Sequence, residues 1–483
     1  MKKCCGPAAE SASRRDFLFS VGGGLGGLAL AQLLGRNQLL ADGIYKPKPE
    51  FNGGLHHRAK VKRVIQLFMN GGASQMDLFD YKPALYKLHG QKFDPGAHFE
   101  AATSAPGKVL KPPFEFKQHG QCGRWVSSVL PHTAACVDDI AFLMAMVSKT
   151  NVHGPGSYMM NTGFLLPGFP SMGAWFSYGL GSLNDNLPTF VVMPDPKGLP
   201  YNSKGNFTSG FLPVTHQGTI INPGSATPIP DLFPAEKKPY ITAESEKDSL
   251  EMLGRLNRAH AATRESDSRL ESRIASYELA AKMQLSAPEA LDLSSESEAT
   301  KKLYGLDDKV TEDFGRRCLI GRRLLERGVR FVQVWSGAGG PKNNWDNHAN
   351  IEKELPPMAG ATDKPTAALL KDLKARGLLD DTLVLWSTEF GRMPFAQDSV
   401  GRDHNGGTFV TWMAGAGVKG GVAYGQSDEW SWKAAEGKTY CYDLHATILH
   451  LMGIDHEKLS YRHNGIDRRL TDVHGHVIKA VLA

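Results

Sequence analysis

Several signatures are missing from this chain of 483 residues, and each absence removes a class of function. No Gly-x-Gly-x-x-Gly follows a strand-like run, and there is no Walker loop and no Gly-x-Ser-x-Gly elbow. Dinucleotide enzymes, P-loop enzymes and α/β-hydrolases are therefore disfavoured. Cysteine is scarce, six in all, with no Cys-x-x-Cys, which excludes a zinc knuckle. Cys4 and Cys5 lie at the extreme N-terminus. For the other four, one disulfide (Cys122 with Cys136) and buried thiols both remain open. A basic face is lacking too. The net charge is +5, but the first 41 residues hold five basic and two acidic side chains, leaving about +2 for the rest. Nucleic acid is not the expected partner.

Long apolar runs are also few. The one near the N-terminus, Val21 to Leu34, contains five glycines and makes a poor membrane anchor. It follows Ser13-Arg-Arg-Asp-Phe-Leu-Phe19, which resembles the twin-arginine export motif, and precedes Leu39-Leu-Ala41, a cleavage-site pattern. Residues 1–41 are expected to be a twin-arginine signal peptide, with a tethering helix as the alternative. The expected destination is the periplasm or cell envelope, without a stable transmembrane anchor. Residues 42–60 read as a linker.

What is present is an alternation of strands and helices. Lys62 to Asn70, Ile140 to Val147, Thr189 to Met193, Val329 to Trp335, Thr382 to Thr388 and Thr408 to Ala414 read as buried strands. Leu130 to Val137, Phe314 to Gly328, Lys364 to Arg376 and Asp443 to Gly453 have helical spacing. Residues 90–128 look irregular and 194–240 look like a long surface excursion. From Glu244 to about Thr300 the chain is charged and helical, an amphipathic insertion. The fold expected is doubly wound α/β with a mostly parallel sheet and helices on both faces. The core falls in two parts, 61–240 and 313–483, around a helical insertion at 241–312.

The polar residues of interest follow the strands. Thr382-Leu-Val-Leu-Trp-Ser-Thr-Glu389 delivers Glu389 to the carboxyl end of a strand, where open α/β folds build sites. Arg392 and then Asp403 and His404 follow within sixteen residues. Trp345-Asp-Asn-His348 places Asp346 and His348 two apart, on one side of an extended segment, able to share an ion; an Asx turn is the alternative. His153 follows a strand and opens a short helix ending at Gly163, as a ligand or a cap. Asn70 ends the first strand as a ligand or a turn residue. His445 and His450, on the last helix, read as packing residues.

From roughly residue 63 onward the chain resembles the bacterial family called domain of unknown function 1501. The resemblance is carried by Cys318 to Val334, Trp345-Asp-Asn-His348, Leu378 to Arg392, Gly401-Arg-Asp-His404 and Asp443 to Gly453. That family is similar to the alkaline-phosphatase and sulfatase superfamily, which implies metal ligands at strand ends of a parallel-sheet core. Met159-Met-Asn-Thr-Gly163 is similar to the end of the superfamily's nucleophile helix. The departures are instructive. The nucleophile spacing lands on His153, and no Cys or Ser precedes x-Pro-x-Arg. Asn70 replaces an aspartate, Glu389-Phe390 replaces Asp-His, and Asp-x-His replaces Asp-x-x-x-His.

The resemblance implies an exported metal-dependent hydrolase of sulfate or phosphate esters, acting on a small anionic ester with sulfated sugars among the candidates. A divalent ion (zinc, manganese or calcium) would be held by Asp346, His348 and His404, with Glu389, Asp403 and Asn70 as further ligands or a base. Arg392 would grip the anion, His153 would act as acid or second-site ligand, and Ser157 is the fallback nucleophile. The alternative is a non-catalytic, metal-bearing binding or assembly protein of the envelope. The oligomeric state is left open.

Overall fold

A computed structural model describes residues 55–94, 96, 107–229, 243–262, 268–397 and 400–483. The signal segment therefore lies outside the described residues.

A nine-stranded sheet runs through the molecule. From one edge the order is Ala423–Tyr424, Ile140–Val147, Phe409–Gly415, Thr382–Ser387, Arg63–Met69, Phe331–Ser336, Phe190–Met193 and Thr219–Ile220, with Thr439–Tyr440 also pairing to Ile140–Val147. All pairings are parallel except the two made by Phe409–Gly415. The three central strands carry no exposed residue and read as β-branched and aromatic runs, because both faces are covered. Val64 and Phe68 pack into one apolar cluster, Ile65, Leu67 and Met69 into the other, following the two-residue period of a strand. This is the doubly wound, mostly parallel α/β architecture expected from the strand and helix alternation.

One polar thread crosses that core. Gln66 donates to Ser387 at 2.9 Å, while Gln333 donates to Gln66 at 2.8 Å and to Asn161 at 2.7 Å. Burying these amides is tolerable because each finds a partner.

The structure changes four local expectations. The helix expected from Lys364 runs Ile351–Ala375 and includes Pro356, Pro357 and Pro365. Pro356, Pro357 and Pro365 all lie beyond the first turn, so each removes the N–H that would bond four residues back, and the helix continues across them. The helix expected at Leu130 to Val137 is a single turn, Pro131–Ala134, followed by a 3-10 turn. Residues 90–128 include a hairpin, Phe116–His119 with Arg124–Ser127. The 194–240 stretch is not only surface: Thr219–Ile220 joins the sheet edge, and residues 195–206 lie over the site described next.

Cys122, Cys136, Cys318 and Cys441 are all free thiols. No described helix is long and apolar enough to cross a membrane.

Candidate metal centre

Four elements bring side chains to the carboxyl ends of the parallel strands. After Arg63–Met69 the chain turns at Gly71 and Gly72, and after Phe331–Ser336 it loops to Asp346 and His348. Thr382–Ser387 leads to Glu389, and the hairpin Gly391–Gln397 with Gly401–Asn405 returns His404. Ile140–Val147, parallel to these strands, leads to the helix His153–Thr162, which Gly163 closes at φ 81°. The opening His153-Gly-Pro-Gly156 keeps that helix slim. A Cβ at Gly156 would meet the Phe390 ring at 3.0 Å, so glycine lets the helix lie against the strand end.

His153, Asp346, His348 and His404 each offer an atom lying within 4.8 Å of the other three. His348 Nε2 is 2.7 Å from Asp346 Oδ1 and 2.7 Å from His404 Nε2. His404 Nε2 is 3.1 Å from Asp346 Oδ1. His153 Nε2 faces Asp346 Oδ2 at 3.2 Å, off hydrogen-bond alignment, and is buried without a hydrogen-bond partner.

The far nitrogen of each imidazole is anchored. His153 Nδ1 donates to Glu389 Oε1 at 2.7 Å, and His404 Nδ1 donates to the Asn151 carbonyl at 2.7 Å. His348 Nδ1 donates to Gln397 Oε1. A proton on Nδ1 leaves the lone pair of a neutral ring on Nε2, the arrangement by which outer partners orient metal-bound histidines. Burial lowers the His404 pKa to about 4, so its ring is neutral at physiological pH. For His153, burial pulls the pKa down, but the carboxylates of Asp346 and Glu389 facing its ring outweigh it and the net shift is upward.

Burial alone would raise the Asp346 carboxyl; Arg392 and the three histidines hold it well below the usual carboxylate range. Its side chain is 12% exposed, against 26% for His348, so solvent reaches the centre beside His348.

Three imidazoles and one carboxylate with inward-facing lone pairs fit a divalent ion of the zinc type. Two bare nitrogens 2.7 Å apart repel each other unless a proton or a cation lies between them. The donor chemistry therefore suits a metal, and His153 lies in the same cluster as Asp346, His348 and His404.

The remaining expected residues are placed elsewhere. Arg392 is fully buried. Its Nε donates to Gly72 O at 2.7 Å, and Nη2 donates to Asp346 Oδ1 at 2.6 Å and to Gly71 O. Nη1 donates to Arg402 O at 3.1 Å and approaches His348 Nε2 at 3.4 Å. Every donor of its fork is engaged within the protein, which makes it the clamp of Asp346. Glu389 is the partner of His153 and of the Gly71 N–H, at 2.8 Å, rather than one of the four converging groups. Asp403 accepts from its neighbour His404 N at 2.7 Å, at an irregularity in the hairpin.

Asn70 turns its amide to Gly337 O at 3.2 Å and leaves its Oδ1 buried without a hydrogen-bond partner. Ser157 is no free nucleophile: its hydroxyl donates to Asn206 Oδ1 at 2.8 Å.

Gln397, the Asn151 carbonyl and Tyr201 were not legible in the sequence, since nothing local distinguishes them. Gly71 follows the first strand. Its φ is 121° and a Cβ there would lie 2.6 Å from Asp346 N, so the turn fixes how close the first strand end comes to the carboxylate.

A family profile described as "Protein of unknown function (DUF1501)" matches residues 61–482. No curated protein matches the chain. Among solved structures it is similar to the PsFucS1 sulfatase from Pseudoalteromonas sp., at 12% identity over 87% of this chain and 70% of that one, with a TM-score of 0.34. It is similar to the alkaline phosphatase of the Antarctic bacterium TAB5, at 11% identity over 82% and 98%, TM-score 0.33. A third is the lipoteichoic acid synthase LtaP from Listeria monocytogenes, at 10% identity over 83% and 76%, TM-score 0.34.

Proposed function

We propose, starting from the chain's membership of the DUF1501 family, that it is a metal-dependent hydrolase of phosphate or sulfate esters that works outside the cytoplasm. The observation that carries this is the set of three imidazoles, each anchored at Nδ1, with Nε2 directed at Asp346. The ester class rests on the resemblance to the phosphatase and sulfatase superfamily, and export rests on the twin-arginine pattern of residues 13–19.

His153, Asp346, His348 and His404 would hold the ion. Three nitrogen donors favour zinc over manganese and calcium, which prefer oxygen ligands. When bound, such an ion lowers the pKa of a coordinated water and polarises an ester oxygen. The protein's own groups set the stage for that chemistry. Glu389, Gln397 and the Asn151 carbonyl hold protons at the three Nδ1 atoms and so keep each Nε2 available. Arg392 fixes Asp346 while its charge lies beside the place where an anion would arrive. The substrate approaches past His348, the most exposed of the four.

A second reading, a metal-bearing binding protein without catalysis, is favoured by one observation. The position expected for a nucleophile is His153, and Ser157 is tied to Asn206. The test is metal analysis of the purified protein, followed by a screen of aryl phosphate, phosphodiester and aryl sulfate with zinc or manganese. One ion per chain and cleavage of one class support the enzyme; Asp346→Ala and His404→Ala should lose both. A protein that binds the ion and cleaves none of the three is the binding protein. Full metal content in both variants would falsify the ligand assignment.

A further inference from the structure

We infer that Tyr201 is a positioning residue for the metal centre, holding the His153 imidazole by ring stacking and the Asp346 backbone through Asn344. The inference rests on the metal reading above and adds what keeps two of the four ligands in register.

His153 is secured at Nδ1 by Glu389, but one hydrogen bond leaves the ring free to swivel about it. The Tyr201 ring removes that freedom. Its centroid lies 4.4 Å from that of His153, and the two planes differ by 5°. Phe390 also contacts the imidazole, at 4.8 Å and 33°. With its plane fixed, His153 directs Nε2 at Asp346 Oδ2.

Tyr201 reaches the second ligand through its hydroxyl. The phenol donates to Gly340 O at 2.9 Å and accepts from Asn344 Nδ2 at 3.3 Å. The other end of that amide, Asn344 Oδ1, accepts from Asp346 N at 3.0 Å. One side chain thus bridges two ligands 193 positions apart in sequence.

The segment carrying Tyr201 is itself anchored to the helix that begins at His153. Asn202 Nδ2 donates to Gly154 O at 2.6 Å. Asn206 accepts from Ser157 Oγ at 2.8 Å and donates back to Tyr201 O at 2.5 Å. On the other side, Gly339 N donates to Leu199 O at 2.8 Å, joining this segment to the one that leads to Asp346.

Backbone strain gathers at the same junction. Of six non-glycine residues with positive φ among the described residues, Asn202 (64°), Ser203 (55°) and Asn343 (61°) belong to these two segments. Such conformations persist where surrounding contacts over-determine them, and they concentrate at functional sites. Here the contacts that impose them are those that seat Tyr201.

The test compares Tyr201→Phe and Tyr201→Ala with the parent, using zinc alone for affinity and cobalt(II) alone for its visible absorption. Tyr201→Ala should weaken zinc binding about ten- to a hundredfold, as loss of an outer partner does, and shift the cobalt bands. Tyr201→Phe keeps the stacked ring and should stay closer to the parent in both readouts. Melting of the metal-free proteins monitors folding. Should Tyr201→Ala not fold, Tyr201→Leu replaces it, being apolar and unable to stack. Unchanged zinc affinity and an unchanged cobalt spectrum in the variant lacking the ring overturn the inference, whatever its melting temperature. If the parent binds neither ion, the metal reading itself falls and takes this one with it; if the parent binds and all variants match it, only this one falls.

Discussion

Two buried groups of charged and polar side chains in this protein look alike in composition and differ in what they leave unsatisfied. The first joins the segment before Glu298 to the helices Glu312–Glu326 and Ile351–Ala375. Arg322 meets Glu296 at 2.7 Å, Glu326 at 2.6 Å and Asp372 at 3.1 Å. Arg323 meets Glu296 at 2.6 Å, and Arg376 meets Asp372 at 2.7 Å. Three guanidinium groups face three carboxylates, so the charges balance within the protein. Burial would raise the Glu296 carboxyl, but the two arginines pull it down below its ordinary value.

The candidate metal centre is built the other way. Beside the ion pair of Arg392 with Asp346, nitrogen lone pairs face one another and the same carboxylate. A network that answers every charge internally is a brace; one whose acceptors converge on a shared point is a receptacle for a cation.

The comparison can be broken at the brace first, where the largest effect on stability is expected. Arg322→Ala should cost about 3–5 kcal/mol, as removing one partner of a buried ion pair does, because Glu296 and Asp372 are left without it. Urea unfolding with and without zinc measures this. The prediction is a large stability loss with zinc stoichiometry unchanged, and a loss of metal would mean that the two groups are coupled.

His445 sharpens the comparison, being a buried imidazole that belongs to neither group. One nitrogen bonds Met160 O at 2.9 Å, the other has no hydrogen-bond partner, and burial lowers its pKa from 6.5 to about 4. The folded state favours the neutral ring, so this contribution is fully present above about pH 6.5 and is lost as pH falls towards 4. The difference is of order 3 kcal/mol. His445→Gln should flatten the stability curve over that window, and an unchanged slope would assign it to other groups. A lone unpaired nitrogen thus marks a pH-sensitive packing residue. Convergence of several is what marks the receptacle.

The smallest effect is the stabilisation of the receptacle by its ion. At a free zinc concentration of about 100 times Kd, the parent should gain about 2.7 kcal/mol. Asp346→Ala and His404→Ala should gain almost none. Calorimetry with and without zinc reads the difference, and an equal shift in all three proteins would place the ion elsewhere.

Much of this was legible in the sequence because it depends on local pattern. The strands at Arg63–Met69, Ile140–Val147 and Thr382–Ser387 were readable from continuous apolar runs, since strands covered on both faces need them. Asp346 and His348 could be paired because they lie two positions apart, and His404 stood out by following a strand end. The surroundings of Arg392 were not legible because sequence reveals a charge but not which carbonyls surround it. Gln397 and Tyr201 gave no signal at all.

The sequence by itself determined the alternation of elements, the apolar faces that stack them into a doubly wound sheet, and most of the donors that end its strands. These follow from periodicities of two and of about 3.6 residues, which neighbours along the chain express. Only the tertiary structure decided that His153 lies in one cluster with Asp346, that Arg392 faces inward, and that a tyrosine from a Pro- and Gly-rich stretch lies flat on the His153 ring. Those outcomes depend on distances between segments tens to hundreds of residues apart, which are set by how the sheet and its loops pack and not by any local preference.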